Sequence, residues 1–348
     1  MSVKIFSVPG GNLFGIFGAH TEDGKGQMRG GKYFFSGEAG DWFSSEWLMV
    51  QDNPYACFYT DIPREKRILF LTEPPEIRDY SKYMQYLEQF GVIISMYNIP
   101  GYSGRVILSN PHIGWTTGIF GEMKTIGKAL NYPVPDKNRT ISIVSSLKHK
   151  TQQQRKRVAF MREMEREFAG VVDCYGREFN PVDDKLKAIA PYKYHVVIEN
   201  SKHKYYWTEK LADAWACWSL PIYCGDPSIL EQVPDRKGIE IIDVDDFAGS
   251  VRKIHEIIDG DIYSSRIDAI RTCREWVMKA CNRYDIVCDI VDNADINTPK
   301  LKTPEIIRIM LSSRKNFVYK LLQGISPDYA DKLFDAYCRK KGLFWEKQ

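Results

Sequence analysis

Between Glu199 and Lys210 the chain sets two carboxylates and an ammonium around an amide, a hydroxyl and a phenol, in the order Glu199, Asn200, Ser201, Tyr206, Glu209, Lys210. The apolar run before Glu199 predicts a buried strand over residues 194–199 that delivers Glu199, Asn200 and Ser201 to its carboxyl end. A polar, aromatic loop follows, and Thr208 caps a helix whose first turn holds Glu209 and Lys210. An ammonium at a helix N-terminus is mildly unfavourable, because it meets the positive end of the helix dipole. The free N–H groups at the same place attract anions. A phosphate bound there would reverse the penalty on Lys210 and occupy the orphan donors; the plainer reading is a surface lysine at an ordinary turn.

Two further positions carry candidate chemistry. Arg157 falls on a basic amphipathic helix over residues 151–168, where it is either a solvated charge or a second phosphate ligand. Glu73 follows an apolar run at 68–71, and Pro74 and Pro75 stop that strand. It should therefore stand at the carboxyl end, which in open α/β sheets faces the ligand crevice. Glu76 is its nearest competitor, and an exposed loop glutamate is the bland alternative for both.

These positions need two sheets. Residues 3–8, 68–71 and 92–95 read as buried strands of a first α/β domain, interrupted by a glycine-rich stretch from Gly10 to Gly40. Residues 131–138 resist regular structure and read as a linker. A cleaner alternation of strand and helix follows: strands at 141–145, 171–175, 194–199, 221–224 and 239–242, and helices at 151–168, 209–218 and from about Phe247 and Tyr263. We expect an N-terminal Rossmann-like domain over residues 1–133, a second over 134–300, and a basic amphipathic helical tail over 301–348. The tail is read as helical from Thr303, on the stripe Ile306, Ile307, Met310, Leu311, Phe317, Leu321 and Leu322.

The order of these residues resembles the signature of glycosyltransferase family 10, the α1,3/α1,4-fucosyltransferases, in its bacterial-type members. The matching elements are Tyr192-Lys193-Tyr194, Glu199-Asn200-Ser201, Thr208-Glu209-Lys210, Pro221 and Gly225, with Arg155-Lys156-Arg157-Val158 and Val172-Asp173-Cys174-Tyr175-Gly176-Arg177 upstream. The likeness covers about residues 138–295. It implies a GT-B fold, two Rossmann-like domains facing a cleft, and transfer of L-fucose from GDP-fucose to a glycan hydroxyl with inversion. By the same resemblance Arg157, Asn200, Tyr206 and Lys210 hold the diphosphate and Glu209 binds ribose or sugar hydroxyls. Ser201 belongs to the same motif, and Tyr175 and Gly176 lie near the guanine or ribose. Leu69-Phe70-Leu71-Thr72-Glu73 is similar to the strand that ends in the family's general base, which makes Glu73 the catalytic residue. The glycine-rich N-terminal stretch departs from the family and leaves the acceptor open. Another GDP-sugar on the same scaffold, or a non-catalytic glycan- or nucleotide-binding module, are the competing readings.

Composition excludes other classes. With 348 residues, 44% apolar and 27% charged, the chain is of ordinary globular usage. The net charge of +3 is uneven: residues 301–348 hold ten Lys/Arg against five Asp/Glu, which leaves −2 in the first 300. A nucleic-acid partner is thus not expected. The tail, with Phe317, Tyr319, Tyr337, Phe344 and Trp345 among its basic residues, suits either a cap across the two domains or an anionic membrane surface bearing a lipid-linked acceptor. No apolar run is long enough to span a membrane, and the eight cysteines form no CxxC pair, so a cytoplasmic protein with reduced thiols is expected. Asp243, Asp245 and Asp246 imitate a metal-binding DxD but precede a helix, where Asp245 or Asp246 is more simply an N-cap. The histidines are scattered, His203 in the donor loop reading as solvent-facing, so no metal or cofactor is expected.

Overall fold

A computed structural model describes residues 2–8, 18–38, 41–295, 297–310, 319 and 326–345. The first half supplies β1 (Val3–Val8), β2 (Gln27–Met28), β3 (Tyr33–Ser36), β4 (Trp47–Gln51), β5 (Cys57–Thr60), β6 (Arg67–Phe70), β7 (Val92–Ser95) and β8 (Arg105–Leu108). Seven of these form one sheet in the order β2-β3-β1-β4-β6-β7-β8, parallel except for the β2–β3 pair. Because side chains alternate across a strand, each strand feeds two cores. Ile5, Met49, Ile68, Phe70 and Ile94 face one way, whereas Phe6, Leu48, Val50, Leu69 and Ile93 face the other.

The second half builds a parallel sheet from β9 (Arg139–Val144), β10 (Val172–Tyr175), β11 (Tyr192–Ile198), β12 (Leu220–Cys224) and β13 (Glu240–Ile241). Its order is β10-β9-β11-β12-β13, so the winding reverses between β9 and β11. A doubly wound sheet of this kind opens a crevice at that switch point, beyond the carboxyl ends of the strands. Helices α1 (Met84–Leu87), α2 (Ile126–Asn131), α3 (Gln152–Glu167), α4 (Lys185–Ile189), α5 (Glu209–Ala216), α6 (Phe247–Asp259), α7 (Tyr263–Lys279) and α8 (Arg283–Asp292) complete the two domains. The arrangement is GT-B.

The chain crosses between the two cores twice. Trp115, Ile119, Met123 and Ala129 pack into the core of the second sheet, and Tyr284, Val287 and Cys288 of α8 pack on the first. Asp213, on α5 and almost wholly buried, clamps the first crossing. Its carboxylate accepts the amides of Thr116 (2.5 Å) and Thr117 (3.0 Å), the Thr116 hydroxyl (2.8 Å) and the Lys185 ammonium (2.9 Å). Lys137, in the segment read as a linker, is pinned through its ammonium to the carbonyls of Tyr192 and Cys217 and to Ser219 Oγ.

The tail differs from the expected helix. Residues Glu305–Ile307 form β14, antiparallel to β5, and Phe344–Trp345 form β15, parallel to it. The open backbone of β5 offers ladder partners that outweigh the helical spacing of Ile306 and Ile307. Helix α9 (Pro327–Lys340) follows, burying Ala330, Phe334 and Cys338. Leu311, Phe317, Leu321 and Leu322 lie outside the described residues, as does part of the glycine-rich N-terminal stretch. All eight cysteines are unpaired and buried.

Removing the Asp213 carboxylate leaves a buried ammonium and buried amide donors without their acceptor, a class of loss that costs about 3–5 kcal/mol. Asp213→Ala should therefore lower the urea midpoint of unfolding by several kcal/mol in free energy, read by tryptophan fluorescence. An unchanged midpoint would show that the crossing is held elsewhere.

Candidate active site

The crevice between β9 and β11 is a cavity of about 650 Å³. Its walls include Ser145, Ser146 and Lys148 after β9, Gly176 to Glu178 after β10, and Asn200 after β11, with Arg157 on α3, Lys185 on α4, and Glu209, Lys210 and Asp213 on α5. The residues picked out in the sequence at 157, 176, 200, 209 and 210 thus converge on one space. The sharp turn at Gly176 explains its type: φ is +147°, and a Cβ there would lie 1.9 Å from the Ser145 carbonyl oxygen.

Beneath the cavity Glu199 is fully buried. It accepts the Thr208 amide at 2.8 Å, the Thr208 hydroxyl at 2.9 Å and the Lys210 ammonium at 3.2 Å. Lys210 also donates to Thr208 Oγ1 at 2.8 Å and lies 3.5 Å from Glu209. Burial acts to lower the Lys210 pKa, but Glu199 and Glu209 outweigh it and hold the group above its ordinary value. Burial lifts Glu199, with Lys210 and Thr208 offsetting part of the rise. Burial likewise acts to lift Glu209, yet Lys210 and Lys185 pull it down to about 2. Lys210 is therefore a charged donor, preset in place by carboxylates on two sides.

Arg157 is the strongest anion-seeking group. It is buried, and its guanidinium bonds the Asn200 side-chain oxygen and the Ser146 carbonyl, the latter at 3.0 Å, while its Nε has no partner. Burial lowers its pKa. A buried cation held by neutral oxygens, with a donor to spare, is costly unless an anion completes it. Lys148 and Arg177 face the same cavity, and no hydrogen bond or ion pair of either side chain occurs among the described residues.

The remaining predicted residues surround the cavity. Tyr206 is buried beside Asn200, which hydrogen-bonds its hydroxyl. Ser201 donates at 3.0 Å to Glu76 of the first domain, so it bridges the cleft rather than lining the cavity. That bond also engages the competitor Glu76. Tyr175 turns away: its hydroxyl pairs with that of Tyr192 at 2.7 Å, and Gly176 forms the wall in its place. His203, expected in solvent, packs its ring on Tyr97 across the cleft, with centroids 5.8 Å apart.

Glu73 stands on the opposite domain, three residues beyond β6 and just before Pro74 and Pro75, and is half-buried. Among the described residues nothing hydrogen-bonds its carboxylate. Burial raises its pKa, Asp52 adds to the rise, and Arg78 and Lys210 oppose it. Three residues on, Glu76 accepts the Ser201 hydroxyl, which sets the Glu73 segment against the strand end that carries Asn200. Asp52 is itself occupied by Arg78 at 2.7 Å and by Tyr80.

This arrangement is a polyanion cavity on one domain with a free carboxylate on the other. Residues 134–260 match the family described as glycosyltransferase family 10 (fucosyltransferase), C-terminal part. That segment is similar to the family over the whole of β9 to α6. Among solved structures, an alpha1,3-fucosyltransferase with GDP is similar at 15% identity, over 86% of this chain and 93% of that one, with a TM-score of 0.47. The OtsA apo structure is similar at 11% identity over 86% and 100%, with a TM-score of 0.48. A glycosyltransferase of Rickettsia africae ESF-5 is similar at 11% over 84% and 100%, with a TM-score of 0.45. Likenesses this distant speak to no ligand, and no curated protein matches the chain in sequence.

Several groups of this site escape sequence reasoning. Lys185 and Asp213 come from different helices and meet only in three dimensions; Lys148 is one of many surface-type lysines, and Glu178 follows the Tyr175-Gly176-Arg177 segment without a motif of its own. The acidic run resolves as expected of a cap: Asp246 accepts the Gly249 amide at 2.9 Å, while Asp243 and Asp245 pair with Lys202 and Lys156. No cluster of metal-ligating residues occurs among the described residues.

If the unpaired Arg157 donor serves an anion, inorganic pyrophosphate should bind the resting protein by calorimetry. Arg157→Met should weaken that binding roughly 10- to 100-fold, the worth of one or two charge-assisted hydrogen bonds. Equal affinities would remove Arg157 from the anion site.

Proposed function

We propose that the protein transfers L-fucose from GDP-fucose to a hydroxyl of an N-acetyllactosamine-like glycan, with inversion, forming an α1,3 or α1,4 linkage. The observation that carries this reading is Glu73, half-buried just beyond β6 with no hydrogen bond to its carboxylate among the described residues, on the domain across the cleft from the cationic cavity. Glu73 takes the proton of the acceptor hydroxyl as that oxygen attacks the anomeric carbon. The bond from that carbon to the diphosphate oxygen breaks with its electron pair, and the charge gathers on departing GDP. Arg157 and Lys210, with Asn200 and Tyr206 behind them, neutralise it, preorganised in a site that excludes much of the water. Glu209, ionised throughout the physiological range, accepts hydrogen bonds from ribose or sugar hydroxyls. Two fixed cations supply the charge stabilisation for which other transferases use a divalent ion, so no cofactor is invoked. The fucosyl group rests on the family description of residues 134–260; another GDP-sugar would use the same diphosphate contacts.

The test is GDP release from GDP-fucose with and without N-acetyllactosamine. Glu73→Gln should reduce acceptor-dependent release by about 10²–10⁴-fold with GDP affinity kept, the usual worth of a general base. Because the base must be ionised and its pKa is raised, kcat/KM should fall on the acid side at a pH above the ordinary glutamate value of about 4.3. GDP binding without turnover on any GDP-sugar would favour a non-catalytic binding module.

The tail supports a second, separable proposal, peripheral contact with an anionic membrane that presents a lipid-linked acceptor, with the protein on the cytoplasmic side. Tyr329 and Leu333 are 56% and 42% exposed on α9, one turn apart, beside exposed Lys332, Arg339 and Lys340. No helix among the described residues is long and apolar enough to cross a membrane. Co-sedimentation with phosphatidylglycerol vesicles should drop on Tyr329→Ser/Leu333→Ser and in high salt. Equal sedimentation of the variant, or none by either protein, would reject the contact.

A further inference from the structure

The cavity contains one carboxylate that the transfer chemistry does not use. Of the three that line it, Asp213 is committed to Thr116, Thr117 and Lys185, and Glu209 lies between Lys210 and Lys185. Among the described residues Glu178 has only the Leu147 amide, at the long distance of 3.5 Å. Its backbone is nonetheless fixed. The Gly176 amide donates to the Asn180 carbonyl and the Phe179 amide to the Gly176 carbonyl, each at 3.1 Å, and Asn180 Nδ2 donates to the Cys174 carbonyl at 3.0 Å. A spare acceptor on a rigid turn, at the edge of a ligand cavity, is suited to reading a ligand.

Its place relative to Arg157 narrows what it reads. Arg157 donates to the Ser146 carbonyl and Glu178 accepts from the next residue's amide, so cation and carboxylate flank one short stretch beyond β9. Val144, Pro181 and Val182 line the same cavity and offer apolar surface to a flat ring. Guanine presents two adjacent donors, N1–H and the N2 amino group, along one edge, and a carboxylate accepts both. Adenine has an acceptor at N1, and uracil flanks its single N–H with two carbonyls that repel a carboxylate. We propose that Glu178 is the base-specificity residue, accepting N1–H and N2–H of guanine. This rests on the donor being a GDP-sugar.

The experiment is calorimetry of GDP, IDP and UDP binding to wild type, Glu178→Gln and Glu178→Ala, with pyrophosphate as the control for an intact phosphate site. IDP differs from GDP only by the missing 2-amino group. Wild type should prefer GDP to IDP, and both variants should bind GDP roughly 10- to 100-fold more weakly, as expected for a hydrogen bond to a charged group. In the variants GDP and IDP should approach equal affinity, with pyrophosphate binding unchanged. Wild type that binds IDP as tightly as GDP, or variants that keep the wild-type preference, would overturn the assignment. Those outcomes, with GDP release still dependent on Glu73, would leave the donor reading intact. Failure of wild type to bind GDP at all would remove both.

Discussion

A buried carboxylate, Glu199, ties the end of the central strand of the second domain to the start of the helix that follows. It draws the Thr208 amide, the Thr208 hydroxyl and the Lys210 ammonium onto itself in a place with no exposure to solvent. A charge in such a place is tolerated only when it is paired and hydrogen-bonded, so strand end, helix cap and lysine must be assembled together. The consequence for the cavity is that Lys210 is placed before any ligand arrives. A flexible lysine on a solvated helix would lose rotamer freedom on binding, and here that loss is already met in folding.

The same economy of fixed charge extends outward from that pair. Lys185, anchored by Asp213, joins Lys210 in holding Glu209 ionised, and Asp213 also grips the chain where it crosses from the first domain. The crossing and the cavity therefore share one buried carboxylate, and a disturbance of either reaches the other. Across the cleft the Ser201–Glu76 bond and the Tyr97–His203 contact hold the facing loops together, and among the described residues no group hydrogen-bonds the Glu73 carboxylate. Its raised pKa has the same origin as its availability: it is partly withdrawn from water and lies near Asp52, with no donor of its own.

Much of this was legible in residue order. The strands of the second domain announce themselves as short apolar runs closed by Gly or polar residues, and the helices starting at Phe247 and Tyr263 are where periodicity puts them. The Thr208 cap and the Asp246 cap follow from side-chain chemistry that acts within a few residues. Strands β4 and β8 were not anticipated, since β4 is buried on both faces and so shows no alternation, and β8 is short and half-exposed. The strand β14 was misread as helix because the spacing of Ile306 and Ile307 suits either state, and the choice belongs to the free edge of β5, which local sequence does not contain.

For the site the division is sharper. Residue order alone placed Asn200 at a strand end and Glu209 and Lys210 in the first turn of a capped helix, because local rules decide these, while the family resemblance supplied the expected diphosphate set of Arg157, Asn200, Tyr206 and Lys210. It also set Glu73 at a strand's carboxyl end. Only the tertiary structure decided that Tyr175 turns to Tyr192, that Ser201 bridges to Glu76, and that Lys185 and Asp213 join the cavity. These outcomes depend on contacts between elements far apart in the chain, where packing density and the pairing of buried charge, rather than propensity, select the partner.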